Sequence, residues 1–121
     1  MKKIILLVED DDINIKTITM FLSGKYIVDN AVDAESALKL ADSRQYDLIL
    51  MDIALKGKIN GIELTKALRQ KEQYAEVPII AMTAYAMVGD REVFLNAGCS
   101  HYISKPFLRN DLLSLIEDVL K

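Results

Sequence analysis

The stretch Asp47-Leu48-Ile49-Leu50-Met51-Asp52 decides the fold. Four apolar residues between two carboxylates read as a strand buried on both faces, with Asp52 at its carboxyl end. A carboxylate there has lost solvent on several sides, and something must compensate its charge. A second run of this kind, Ile4-Ile5-Leu6-Leu7-Val8, leads into Glu9-Asp10-Asp11-Asp12. Two such strands side by side bring three or more carboxylates together. That group asks for a divalent cation and makes Asp52 a candidate nucleophile.

Outward from this segment, apolar runs of strand length alternate with amphipathic stretches of helix length. The first strand spans about Lys3 to Val8. A helix from about Asp12 to Leu22 carries Ile15, Ile18 and Leu22 at helical spacing. Ser23-Gly24-Lys25 ends it, with Gly24 as a left-handed cap. Tyr26 to Ala31 is a second strand, less apolar and so nearer an edge. Asp33 is an N-cap for a second helix that places Ala34, Ala37, Leu38 and Ala41 on one face. The third strand is Leu48 to Met51. After the loop Lys56-Gly57-Lys58-Ile59-Asn60-Gly61 comes a third helix with Leu64, Ala67 and Leu68 inward. Val77 to Met82 is the fourth strand, with Pro78 near its start, where a missing N–H is tolerated. A fourth helix, roughly Val88 to Asn96, stops at Ala97-Gly98. A short fifth strand, Ser100 to Ile103, precedes a fifth helix, about Leu108 to Leu120, that buries Leu112, Leu115, Ile116 and Val119.

The 121 residues suit one domain spanning 1–121, and the 51% that are apolar suffice for one core. A net charge of −3 and fifteen scattered Lys and Arg argue against a nucleic-acid surface. One cysteine, Cys99, excludes an internal disulfide and fits a reducing cytoplasm. Met1-Lys2-Lys3 ahead of an apolar run mimics a signal peptide, but that run stops at Glu9 and is too short. Nothing approaches transmembrane length. A cytoplasmic protein without membrane contact is expected.

Five βα units imply an α/β fold, a parallel sheet covered by helices on both faces. Sites in such sheets form beyond the carboxyl ends of the strands. Glu9-Asp10-Asp11, Asp52, Thr83 and Lys105 all fall there. Two unit charges about 4 Å apart repel by roughly 4 kcal/mol at an effective dielectric near 20. Glu9, Asp10 and Asp52 together therefore need a cation, and their hard oxygen ligands suit Mg²⁺. Asp52 can then attack phosphorus, with Lys105 supplying a cation and Thr83 a hydroxyl donor. Each residue also has a plainer reading. Asp11 and Asp12 suit N-cap and dipole roles, and Thr83 or Lys105 taken singly would be structural or solvated. It is their shared edge that favours the functional reading. His101 reads as an incidental surface group, Cys99 as a packing residue, and Met82 and Met87 as gap fillers.

Four ordered segments carry a resemblance: Ile5-Leu6-Leu7-Val8-Glu9-Asp10-Asp11, Asp47-Leu48-Ile49-Leu50-Met51-Asp52, Pro78-Ile79-Ile80-Ala81-Met82-Thr83-Ala84 and Tyr102-Ile103-Ser104-Lys105-Pro106-Phe107. Over essentially its whole length the chain resembles the receiver domain of two-component response regulators. The resemblance implies a flavodoxin-like (βα)5 doubly wound sheet with strand order 2-1-3-4-5. It implies that Asp52 accepts a phosphoryl group from a sensor histidine kinase or a histidine phosphotransfer protein. Asp10 and Asp52 would hold Mg²⁺ with the Ala54 backbone carbonyl, and Glu9 would act through water. Lys105 would pair with the phosphoryl group, and Thr83 would couple it to Tyr102, the switch aromatic. The Lys105–Pro106 peptide is expected to be cis. Such a domain is a phosphoacceptor regulator, not an enzyme on other substrates. Asn14 and the Thr83-Ala84-Tyr85-Ala86-Met87 stretch resemble stand-alone and hybrid-kinase receivers. The chain stops after the fifth helix, so its output is expected to be protein binding through helix four, strand five and helix five, or phosphorelay. Ile15 and Met20 of helix one are expected on the kinase side.

Two features depart from the pattern. The family's usual proline four residues after the phosphorylated Asp is Lys56 here, and the loop that follows is one residue longer. Ala54 cannot orient an attacking water, and Tyr85 is placed to shield a phosphoryl group, so slow self-dephosphorylation is expected. Other classes stay open. A Mg²⁺-dependent phosphatase working through an aspartyl-phosphate would want an acid at Ala54. A flavin module would want a hydroxyl-rich loop in place of Glu9-Asp10-Asp11. A receiver used only for binding would not need the Asp10, Asp52, Thr83 and Lys105 set.

Overall fold

Among the described residues of the computed structural model, five strands, β1 (Ile4–Val8), β2 (Ile27–Ala31), β3 (Leu48–Asp52), β4 (Ile79–Thr83) and β5 (His101–Ser104), alternate with five helices. The helices are α1 (Asp12–Leu22), α2 (Ala34–Ser43), α3 (Gly61–Arg69), α4 (Val88–Ala97) and α5 (Arg109–Val119). A 3₁₀ turn, Glu72–Tyr74, precedes β4. The structure describes residues 2–84 and 88–121. Tyr85, Ala86 and Met87, invoked above for shielding, subgroup and gap filling, lie outside the described residues.

All strand pairs are parallel and the order is β2-β1-β3-β4-β5. The period-2 alternation of strands splits the core into two layers. Leu6, Val8, Ile49, Met51, Ile79 and Ala81 face the small residues of α2 and the leucines of α3. Ile5, Leu7, Leu48, Leu50, Ile80 and Met82 face Ile18 and Leu22 of α1 and Leu112, Leu113 and Ile116 of α5. β1, β3 and β4 are therefore continuous apolar runs, while β2, at an edge, is mixed.

Helix starts follow local chemistry. The Asp11 carboxylate accepts the Asn14 N–H, Asp33 and Ser36 form a capping box, and Asn60 and Glu63 form another. Gly24 has a positive φ of 85° after α1, the conformation that favours glycine. Lys105–Pro106 is cis, as expected.

Several expectations shift. β3 extends to Asp52 and β4 to Thr83, because the ladder outlasts the apolar run: Asp52 pairs with Met82, and Thr83 with Ser104. β4 begins after Pro78 rather than at Val77, and β5 runs His101–Ser104. In α3 it is Thr65 that is fully buried, its hydroxyl donating to Gly61 O at 2.8 Å, while Ala67 is half-buried. In α5 Leu113 is buried and Leu115 and Val119 only partly so. Cys99 is buried beside Thr65, and His101 is exposed.

Candidate functional site

The carboxyl ends of β1, β3, β4 and β5 converge on an open cleft of about 560 Å³ lined in part by Glu9, Asp10, Asp52, Ala54, Lys56 and Lys105. The sheet itself places these groups. Glu9 continues the β1–β2 ladder, its N–H donating to Ala31 O at 3.0 Å. Asp52 is the last residue of β3, and the Lys105 N–H donates to Thr83 O at 2.7 Å. Adjacent strand ends thus put groups from residues 9 to 105 within one bonding distance of each other.

Glu9 is 1% exposed and Asp52 4% exposed, so both carboxylates must be compensated by protein or by a cation. Glu9 Oε2 accepts the Asp10 and Asp11 N–H groups at 3.1 and 3.2 Å. Glu9 Oε1 accepts from Lys105 Nζ at 2.8 Å, and the same ammonium lies 3.5 Å from Asp52 Oδ1. Asp52 Oδ1 also accepts the Ala54 N–H at 3.0 Å. Asp10 Oδ2 accepts the Lys56 N–H at 3.0 Å. Burial pushes the Glu9 carboxyl above its usual range; Lys105 opposes this and nearby Asp52 adds to it.

One ligand oxygen from each of Glu9, Asp10 and Asp52 lies within 4.8 Å of the others. Carboxylate oxygens on an open cleft, with no imidazole or thiolate in the group, fit a hard divalent ion such as Mg²⁺. Among the described residues Lys105 is the one ammonium paired with these carboxylates, and a divalent ion would offset the negative charge that remains. Ala54 lines the cleft beside them.

The sequence-predicted residues Glu9, Asp10, Asp52 and Lys105 are brought together, and Thr83, 4% exposed, ends the adjacent strand. Tyr102 stands apart on β5, half-buried against the α2–α3 layer. Lys105 was expected to serve a phosphoryl group; in this state its shorter ion pair is with Glu9.

Three contributors escaped the sequence reading. Lys56 acts through its N–H, which no side-chain pattern reveals. Gly61 packs so tightly on the end of β3 that a Cβ would collide with Asp52 O. Arg91 of α4 lies over the Tyr102 ring, 5.0 Å from its centroid. The sequence signals two of them: Lys56 in place of the usual proline, and a glycine opening α3.

Comparison with known proteins bears on what such a cleft does. The family model described as response regulator receiver domain matches residues 5–117. The polar-differentiation response regulator DivK of Brucella ovis is 40% identical over 107 residues, covering 88% of this chain and 86% of that protein. The receiver domain of sensor histidine kinase PA1611 from Pseudomonas aeruginosa, solved with a magnesium ion in its active-site cleft, superposes with a TM-score of 0.90. It is 38% identical, with 99% of this chain and 98% of that chain covered. The chemotaxis response regulator CheY4 of Vibrio cholerae gives a TM-score of 0.94 at 26% identity, with 99% and 100% covered. No helix among the described residues is long and apolar enough to cross a membrane.

Proposed function

The chain belongs to the response regulator receiver family, and from that premise we propose that Asp52 is its phosphoacceptor and that residues 1–121 form one receiver domain. The observation that carries this reading is the buried Asp52 carboxylate, 3.5 Å from the Lys105 ammonium and grouped with the acids Glu9 and Asp10. Glu9, Asp10 and Asp52, with the Ala54 carbonyl, would hold Mg²⁺. When bound, that ion supplies positive charge to phosphoryl oxygens and offsets the repulsion among the acids.

The protein's own groups do the rest. The Ala54 N–H fixes Asp52 Oδ1, so the carboxylate meets its phosphodonor in one orientation. An Asp52 oxygen forms the new bond to phosphorus as the bond from phosphorus to the donor breaks. Lys105 turns from Glu9 to the phosphoryl oxygens, a short move because Asp52 Oδ1 is already 3.5 Å away. Thr83, ending the adjacent strand, donates its hydroxyl to the same group. Tyr102 then repositions under Arg91, and the surface of α4, β5 and α5 changes for a downstream protein. Moving a population from 1:99 to 99:1 takes about 5.5 kcal/mol of discrimination between the two states. A few charge-assisted hydrogen bonds supply that.

The phosphodonor is a histidine kinase or phosphotransfer protein. It would meet the side of α1, where Ile13 and Met20 are 74% and 68% exposed and Leu108 of the neighbouring α5 N-cap is 72% exposed. Ile15, expected there from the sequence, is half-buried. The same reading makes the chain a regulator rather than an enzyme on other substrates. It also places the chain in the cytoplasm, where a lone thiol such as Cys99 stays reduced.

Incubation with acetyl phosphate and Mg²⁺, followed by intact mass, tests this. The native chain is expected to gain one phosphoryl mass and Asp52→Asn none. Equal labelling of both, or none of the native chain, would overturn it. The time course also reads the lifetime, which is expected to be long because the Ala54 methyl cannot orient water.

A further inference from the structure

Asp10 follows β1 and Lys56 lies on the loop between β3 and α3, 46 residues away in sequence. One hydrogen bond joins them, from the Lys56 N–H to Asp10 Oδ2 at 3.0 Å. The donor is not on a loose tip. Leu55, just before it, is 3% exposed and belongs to the core. Beyond it, Asn60 caps α3 and Gly61 rests against the Asp52 carbonyl. The loop is anchored on both sides, which fixes where the Lys56 N–H points.

A proline, which the receiver pattern carries at this position, has no N–H to give. The bond to Asp10 is therefore specific to chains that place another residue there. We propose that the Lys56 backbone N–H is a positioning group for Asp10: it holds one carboxylate oxygen, leaves the other for a divalent cation, and so raises affinity for that cation. The proposal rests on Glu9, Asp10 and Asp52 being the metal ligands. Hydrogen bonds that orient a metal-ligating side chain typically change affinity by about 10- to 100-fold.

Lys56 makes a second, opposite contribution. Its ammonium belongs to an exposed side chain lining the same cleft, and it repels a cation. The two effects separate cleanly. Lys56→Ala removes the charge and keeps the N–H. Lys56→Pro removes both.

Mn²⁺ and Mg²⁺ affinities are measured by calorimetric titration of the native chain, Lys56→Ala, Lys56→Pro and Asp10→Ala. Lys56→Ala is expected to bind as tightly as the native chain or more tightly. Lys56→Pro is expected to bind about 10-fold more weakly or worse, despite losing the same charge. Proline binding as tightly as alanine overturns the positioning role and leaves the metal reading intact. No saturable binding by the native chain, or native-like binding by Asp10→Ala, overturns both. A second measurement does not depend on the proline variant folding. The Lys56 amide of the native chain is expected to be protected from hydrogen exchange and to lose that protection in Asp10→Ala. A Lys56 amide exchanging at the rate of a free loop, with or without the Asp10 carboxylate, sinks the proposal.

Discussion

The two ends of the sheet treat buried polar groups in opposite ways. At the amino-terminal end, donors and acceptors close on each other. Tyr46 and Tyr74 are fully buried. The Tyr74 hydroxyl accepts the Tyr46 N–H at 3.3 Å and lies within donating distance of Arg44 O and Ala41 O, at 2.6 and 2.9 Å. The Tyr46 hydroxyl donates to Asp29 Oδ2 at 2.7 Å, and Arg44 reaches the same oxygen. Arg69 donates to three backbone carbonyls, those of Gly98, Tyr74 and Val77. At the carboxyl-terminal end three carboxylates cluster, and the Lys105 ammonium reaches two of them, Glu9 and Asp52. The first arrangement is complete and serves stability; the second groups hard oxygen donors that suit a divalent cation.

The largest expected effect comes from opening the complete end. Arg69→Leu leaves three carbonyls without their donor and is expected to lower unfolding free energy by about 3 kcal/mol, measured by chemical denaturation. Metal affinity should stay within about twofold, since Arg69 touches none of the acids; altered affinity at unchanged stability would invert the comparison. Next comes Gly61→Ala, at the incomplete end. Its Cβ would collide with Asp52 O, so the strand end must move, at about 2 kcal/mol. Here stability and Mn²⁺ affinity should fall together. Retention of both would show that the close approach does not position Asp52.

The smallest effect has the opposite sign. The Glu9 carboxyl is raised in the folded state, so its ionisation at neutral pH opposes folding. Its favourable share is present below the ordinary glutamate range and is lost as pH rises through the raised value. Without metal, Glu9→Gln should be more stable than the native chain at neutral pH, with the difference shrinking on acidification. A difference that grows on acidification would mean that Lys105 outweighs burial at Glu9.

Much of this was legible beforehand. The runs Ile4–Val8 and Leu48–Met51 read as strands buried on both faces, and uncompensated acids at their ends are costly. Those facts give the α/β class and name Glu9, Asp10 and Asp52. The core was less legible. Tyr46 and Tyr74 carry hydroxyls that no apolar pattern assigns to the interior, and Thr65 is buried because its hydroxyl finds Gly61 O within its own helix. Lys56 was visible as a departure, but only as a missing proline.

Side-chain chemistry and its periodicity are local, so the chain alone determined the elements, their alternation and the identity of the acids. Contacts between residues far apart in sequence are not local. Only the tertiary structure decided that Lys105 reaches Glu9 from 96 residues away, that Arg91 covers Tyr102, and that the Lys56 N–H falls on Asp10. Each depends on where a strand ends against its neighbour. A shift of one residue in that register would turn the strand's own side chains, Tyr102 among them, to the other face and displace the groups that follow it.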